Sequence, residues 1–211
     1  MTLRLFDYWR SSASYRVRIA LALKGIAYDR VAVDLLSAEQ AGAANVARNP
    51  QAMVPTLEVD GTPITQSLAI IDWLDQTHPT PPFYPADPVA RARVLAQAMV
   101  IAADIHPIDN MRVLKRLSSQ FGADQAARDA WYRHWIELGL AALEVMTADL
   151  PGPFLGGAAP GLADIFLVPQ MFNARRGGVD LTRYPRLVMA DAAAADHPAF
   201  AAAHPERFAP A

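Results

Sequence analysis

The stretch Ser11-Ser12-Ala13-Ser14-Tyr15-Arg16-Val17-Arg18-Ile19-Ala20-Leu21 decides the reading of this chain. A short β-like run, Leu3 to Tyr8, stops at Trp9-Arg10 and gives way to a polar hinge. The hinge opens into an amphipathic helix over Ser14–Lys24, which closes at Lys24-Gly25. A serine pair at the first turn of a helix sets hydroxyls and unpaired backbone N–H groups around one point. The helix dipole adds positive potential there, so the point favours an anion. We read that anion as a thiolate. The chain contains no cysteine, so the sulfur must arrive on a ligand.

Outward from this stretch, the first third alternates element types. A second strand with alternating valines covers Tyr28–Asp34, and Ala38–Arg48 is helical in composition. Thr56–Val59, the turn Asp60-Gly61 and Thr62–Thr65 form a β-hairpin. Ser67 is placed to N-cap a helix through Ile70, Ile71 and Leu74 that ends before His78-Pro79. This order fits a small α/β unit. Pro79, Pro81, Pro82, Pro85 and Pro88 then crowd a short interval that reads as a semi-rigid connector. Beyond it only helical spacing survives, over Val89–Ser119, Asp124–Asp149, Gly161–Arg176 and Pro185–Ala195. Asp87-Pro88 and Asp124 are the starts, and Gly122 and Gly177 the stops. The alanine-rich tail from Ala190 to Ala203 is good helix material, or else loosely packed. The expected division is an α/β domain over 1–79, a linker over 80–87 and an all-helical domain over 88–211.

Composition limits the function. With 211 residues, 53% of them hydrophobic and 19% charged, the chain can bury a sizeable core. A formal net charge of −2 offers no overall attraction to nucleic acid or anionic membrane, so neither is an expected partner. Lack of cysteine excludes disulfides, cysteine-based zinc sites and a Cys-x-x-Cys redox centre, and no metal is expected. The chain opens on a strand without an apolar leader, and its apolar runs are too short to span a bilayer. A cytoplasmic location is expected.

These residues resemble a cytosolic glutathione transferase, and more closely the zeta class, which includes the maleylacetoacetate and maleylpyruvate isomerases. The zeta motif runs Ser-Ser-Cys-x-Trp-Arg-Val-Arg-Ile-Ala-Leu. This chain keeps Ser11, Ser12 and Arg16 to Leu21, with Ala13 for the cysteine and Tyr15 for the tryptophan. Further matches are Asn49-Pro50, Val54-Pro55-Thr56-Leu57, Gln66-Ser67-Leu68-Ala69-Ile70-Ile71, Leu167-Val168-Pro169-Gln170 and Val179-Asp180-Leu181-Thr182 with Tyr184-Pro185. The segment Asp104-Ile105-His106-Pro107-Ile108 resembles the maleylpyruvate branch. The resemblance implies an α/β plus all-α architecture: a thioredoxin-like domain followed by a helical bundle, assembled as a homodimer.

The resemblance also implies a set of roles. Val54 would offer its backbone to the cysteinyl peptide of glutathione across a cis bond to Pro55, where the residues alone leave cis and trans open. Gln66 and Ser67 would hold the γ-glutamyl carboxylate at a helix start, and Gln40 the glycyl carboxylate. Ala13, Arg16, His106 and Asn110 complete the implied glutathione set. Ser11 is the hydroxyl expected to donate to the sulfur, with Ser12 supporting or replacing it. A cysteine thiol has pKa of about 8.5, and lowering it by roughly two units needs about 2.7 kcal/mol. A charge-assisted hydrogen bond supplies roughly 1.5–3 kcal/mol and a helix N-terminus about 0.3–2 kcal/mol, so no general base is required. Arg10, Arg112 and Arg176 are the candidates for the substrate, because a guanidinium fork binds carboxylate bidentately; by motif register Arg176, and not Arg175, is the matching arginine. Asp164 is expected to tie a helix start. The implied activity is glutathione-dependent cis–trans isomerisation of maleylacetoacetate. The alternatives are maleylpyruvate isomerisation, general transfer or dehalogenation on small electrophiles, and a non-catalytic glutathione-fold binding protein.

Overall fold

The computed structural model describes residues 1–210, which divide into two units. The first spans Met1–Pro82 and takes back the chain from Asp196 onward; the second spans Phe83–Ala195.

In the first unit a four-stranded mixed sheet has the order β2-β1-β3-β4. Strand β1 (Leu3–Asp7) lies inside it and is buried at every position but Arg4. It pairs in parallel with β2 (Asp29–Ala32), Arg4 opposite Asp29, and antiparallel with β3 (Thr56–Val59), Leu5 opposite Leu57. Strand β4 (Thr62–Thr65) closes the expected hairpin. Asp60 and Gly61 have φ of 46° and 85°, the paired left-handed conformation that a tight hairpin turn demands. Helices α1 (Ser12–Leu23) and α3 (Ser67–Thr77) contact each other, and Leu5, Val17, Ile19, Leu21, Leu57, Ile70, Ile71 and Leu74 are fully buried. Lys24 Nζ donates to Asp75 Oδ1 at 2.8 Å, joining the end of α1 to α3.

Two expectations change here. The stretch 38–48 is not one helix: a 3-10 turn at Glu39–Ala41 is followed by α2 (Ala43–Arg48). Ala38 sits at φ 62° and Gly42 is extended, so the helical path breaks twice despite the alanines. The tail, assigned by sequence to the helical domain, instead forms α10 in the first unit (Pro198–Ala203 in order of the chain) and docks on α1. Arg18 Nε donates to the Ala203 carbonyl at 3.2 Å, and the Phe208 ring centroid lies 4.7 Å from the Arg18 guanidinium.

The second unit is helical. Helix α4 (Pro88–Met99) starts as expected, with Asp87 Oδ1 accepting from Ala90 N–H at 2.8 Å and proline in the first turn. The single helix expected over 89–119 is divided. A π-helical stretch (Val100–Ile105) leads into α5 (His106–Asp109) and then α6 (Met111–Phe121). Pro107 cannot donate a backbone hydrogen bond, and Asn110 starts a new helix with its own side chain. At this break Gly139 of α7 (Gln125–Thr147) lets Ile105 pack close, because a Cβ there would meet Ile105 Cδ1 at 2.3 Å and force that side chain to shift. Helix α8 (Leu162–Arg176) is the core of the unit, and α9 (Pro185–Ala195) contacts both α7 and α8. The linker expected over 80–87 carries two anchors, for Phe83 and Tyr84 are buried and the Phe83 carbonyl accepts from Leu162 N–H at 2.9 Å.

Asp164 is fully buried and accepts N–H bonds from Leu155, Gly156 and Gly161 at 2.7, 2.9 and 2.9 Å. Burial raises its pKa, while the three amides act in the opposite sense. Asp164→Ala leaves those amides without their acceptor, and we expect a loss of about 3–5 kcal/mol in denaturant unfolding. A loss below about 1 kcal/mol would refute this account of the helix start.

Candidate active site

The serine hinge is built by the end of β1 and the start of α1. The helix begins at Ser12, two residues before the expected start, which makes Ser11 the N-cap. Ser11 Oγ accepts from Ser14 N–H at 3.3 Å, and Ser11 N–H donates to the Tyr8 carbonyl at 3.0 Å. The cap uses an oxygen lone pair and leaves the hydroxyl proton for another acceptor. Ser11 is half-buried and Ser12 and Ala13 are buried. The Ala13 N–H belongs to the first helical turn, whose amides the helix itself cannot satisfy. Arg10, half-buried, has its guanidinium 5.5 Å from the Trp9 ring centroid.

One turn into α1, buried Arg16 donates from Nη1 to Ser67 Oγ at 3.3 Å. This contact joins the starts of α1 and α3. Ser67 is the first residue of α3 and not its N-cap, as the sequence had implied; Gln66 holds that position without capping by its side chain. Gln66 has φ 68° and ψ 119°, a conformation costly for a residue with a Cβ. Its Nε2 donates to Gln51 Oε1 at 2.6 Å. The Val54-Pro55 peptide is cis, with Val54 half-buried and Pro55 buried.

Beneath this edge lie two buried asparagines: Asn49, matched in sequence without a role, and Asn45, which the sequence reading did not mark. Asn49 Nδ2 donates to the Met53 carbonyl at 3.0 Å, and its Oδ1 accepts from Gln51 N–H at 3.0 Å. Asn45 Nδ2 bridges the carbonyls of Gln40 and Met53 at 2.9 and 3.5 Å. The loop of Gln40 and the residue before Val54 thus share one side chain. The sequence signals were Asn49 before Pro50 and an uncharged polar residue among the alanines of α2. Gln40 Oε1 is buried without a hydrogen-bond partner among the described residues. A separate cavity of about 630 Å3, lined by Ala22, Ile26, Tyr28, His197 and Ala202 among others, includes none of these candidates.

In the second unit His106 opens α5 and is half-buried. Asn110 Oδ1 caps α6, accepting from the N–H groups of Arg112 and Val113 at 3.0 and 3.3 Å, while the Arg112 side chain is exposed. The two arginines at the end of α8 diverge. Arg175 donates to the buried Asp191 carboxylate of α9. Arg176 is exposed, 5.8 Å from the Phe172 ring centroid. Tyr132 lies by the same helix end, where a Cβ on Gly177 would come within 2.9 Å of its ring. Burial raises the Tyr132 pKa, the charge of Asp109 adds to the rise, and Arg176 opposes it. In the first unit the Arg16–Ser67 contact thus links the start of α1, with Ser11 and Ser12, to the start of α3, with Gln66, while Val54 stands two residues before Thr56, which pairs with Thr65 beside Gln66. The second places Asn110 and Arg112 on one short segment and Arg176 beside Tyr132. Among the described residues, no group of three His, Cys, Asp or Glu side chains could hold a metal ion, and no helix is long and apolar enough to cross a membrane.

A mixed four-stranded sheet with a cis-proline edge and a serine at the start of the first helix fits the thioredoxin-like domain of a glutathione transferase. Residues 5–82 match the family described as "Glutathione S-transferase, N-terminal domain". Maleylacetoacetate isomerase of Rhizobium meliloti (strain 1021) is 49% identical over 208 residues, covering 98% of this chain and 97% of that protein. The holo structure of a maleylpyruvate isomerase, described as a bacterial glutathione S-transferase of the zeta class, is 46% identical over 96% of both chains, with a TM-score of 0.94. Maleylacetoacetate isomerase from Anaeromyxobacter dehalogenans 2CP-1, solved with glutathione in the active site, is 48% identical, covers 98% of this chain and 96% of its own, and has a TM-score of 0.88. The same enzyme has also been solved with dicarboxyethyl glutathione and citrate in the active site. This chain belongs to the zeta-class glutathione transferase family of maleylacetoacetate and maleylpyruvate isomerases.

The divergence of the two arginines is directly testable. Arg175→Ala strands a buried carboxylate whose pKa burial already pushes up, and we expect it to cost about 1–3 kcal/mol of stability. Arg176→Ala, at an exposed side chain, should cost less than Arg175→Ala. Equal losses in paired thermal or urea denaturation would contradict this assignment.

Proposed function

We propose that this protein is a glutathione-dependent isomerase that converts maleylacetoacetate to fumarylacetoacetate, acting in the cytoplasm as a two-fold dimer. The residues of the first unit fit the tripeptide. The half-buried Val54 beside cis-Pro55 would offer its peptide group to the cysteinyl backbone, as an added strand does. Gln66 and Ser67, at the start of α3 with Arg16 behind them, would hold the γ-glutamyl carboxylate. Gln40 and Asn110 would make further polar contacts.

When bound, glutathione supplies a thiolate that adds to the activated cis double bond, permits rotation about it and departs unconsumed. Ser11 stabilises that charge by donating its hydroxyl proton, with Ser12 beside it and the positive end of α1 behind it. Arg176 and Arg112 would hold the substrate carboxylates and offset negative charge that develops on the substrate, with Arg10 as a third cation. The observation that carries this reading is the orientation of Ser11: the Ser14 amide occupies its acceptor side, so the hydroxyl proton is left to point elsewhere. Maleylpyruvate is the second reading, favoured by the segment Asp104–Ile108 and by the relative of that name.

Steady-state assay of both maleyl acids with and without glutathione tests the proposal. We expect turnover only with glutathione and the higher kcat/KM for maleylacetoacetate. Preference for maleylpyruvate would select the second reading. Activity confined to chlorinated acids would identify a dehalogenating transferase, and no turnover at all a binding protein. Ser11→Ala should lower kcat by about 10- to 150-fold, the kinetic equivalent of one charge-assisted hydrogen bond, while leaving KM for glutathione nearly unchanged. Ser11→Asp retains a good N-cap and hence stability, yet places a negative charge against the sulfur. It should be at least as inactive as Ser11→Ala; an active Ser11→Asp enzyme would remove Ser11 from the mechanism.

A further inference from the structure

Helix α6 is at odds with the charge of the molecule. The chain as a whole carries a formal charge of −2. Yet Met111–Phe121 contains Arg112, Lys115 and Arg116 and no acidic residue. None of its residues is buried. Val113, Leu114, Leu117 and Ser118 are half-buried, while Arg112, Lys115, Arg116 and Ser119 are exposed. The exposed cations follow i, i+3, i+4 spacing and so share one face. Among the described residues no salt bridge joins any of the three to a carboxylate.

Folding does not account for this arrangement. Like charges at such spacing destabilise a helix, and a cation in the first turn opposes the helix dipole. Neither cost is offset by a counter-charge supplied by the fold. An anion that comes and goes would offset both.

We propose that Lys115 and Arg116 extend the carboxylate-reading charge of Arg112 into a capture face for a dianionic substrate. This inference rests on the functional reading given above, in which Arg112 meets a substrate carboxylate. The face draws the dicarboxylate toward the site before the chemical step and discriminates against uncharged electrophiles of the same shape. Steered capture raises the second-order rate constant and weakens with ionic strength, whereas kcat is untouched because the chemistry follows capture.

The test compares the wild type with Lys115→Gln/Arg116→Gln at low and high salt, using maleylacetoacetate, maleylpyruvate and dimethyl maleate, the uncharged diester. We expect kcat/KM for the diacids to fall about three- to tenfold at low salt with kcat unchanged. The difference should close at high salt, and the diester should be processed alike by both enzymes. The charge-reversed Lys115→Glu/Arg116→Glu pair should fall further. Calorimetry with malonate, which cannot react, should show weaker binding to both pairs of variants than to wild type. Removing two exposed cations elsewhere, by Arg183→Gln with Arg207→Gln, should leave the salt dependence in place. Unchanged kcat/KM in the Lys115/Arg116 variants, an equal loss on the diester, or an equal loss in the Arg183/Arg207 control would overturn the capture face while leaving the isomerase reading intact. A wild type that turns over neither diacid would overturn both.

Discussion

A single buried carboxylate fixes the geometry on which the first unit depends. Asp7 ends β1 with no solvent exposure and accepts from two guanidinium groups, Arg18 of α1 and Arg30 of β2, the latter at 2.6 Å. Arg18 also donates to the Trp9 carbonyl at 2.8 Å and to Ala203 of the returning tail. Phe208 covers the pair, its ring centroid 4.7 Å from one guanidinium and 5.2 Å from the other. Burial lowers the Arg18 pKa and Asp7 opposes that shift, so the ion persists through its partner. Such a pair contributes less net stability than its closeness implies, but removing either member strands a charge. Its effect is positional. The strand end, the hinge that follows it, the first helix and the tail all meet at one guanidinium, and Ser11 stands two residues past the carbonyl it holds.

The edge at Val54 and cis-Pro55 follows the same logic with neutral groups. The side-chain amides of Asn49 and Asn45 donate to backbone carbonyls, both of them to that of Met53, two residues before cis-Pro55. Gln51 restrains the side chain of Gln66, whose backbone is held in an unfavourable region at the start of α3. Conformational cost concentrated at a binding edge is characteristic of preorganised sites. The Gln66 conformation has a counterpart in the charge surplus of α6, another local expense that folding alone does not explain.

Local chemistry was legible from the residues; effects set by tertiary contacts were not. Asp60-Gly61 announced the hairpin, the proline cluster marked the transition to helices, and Asp87 and Asp124 capped where expected, because each acts through its own neighbours. The break after Ala38 was invisible in an alanine-rich segment, since nothing local distinguishes its left-handed residue. The division of 89–119 was written in Pro107 and Asn110, but helical periodicity continued across both and outweighed them. The tail offered only helix propensity, and what it packs against is decided by Arg18, far away in sequence. Among the candidate site residues, Ser11, Arg16, Gln66 and Ser67 could be named from the motif. Asn49 stood in the matching Asn49-Pro50 pair without a role, and Asn45 and Gln51 were not marked at all, for an amide looks like any solvent-facing one until the fold surrounds it.

Ala13 has a chemical consequence of its own. It is buried in the first turn of α1, where the zeta motif carries cysteine, and the chain has no other thiol. A cysteine at a helix N-terminus is acidified and becomes a strong nucleophile. Activated enediones alkylate such groups. A catalyst that handles them while carrying no sulfhydryl of its own lacks the side chain they derivatise fastest, and the reactive sulfur it employs is renewed with each exchange of tripeptide. Composition thereby removes the thiol route to self-inactivation by substrate.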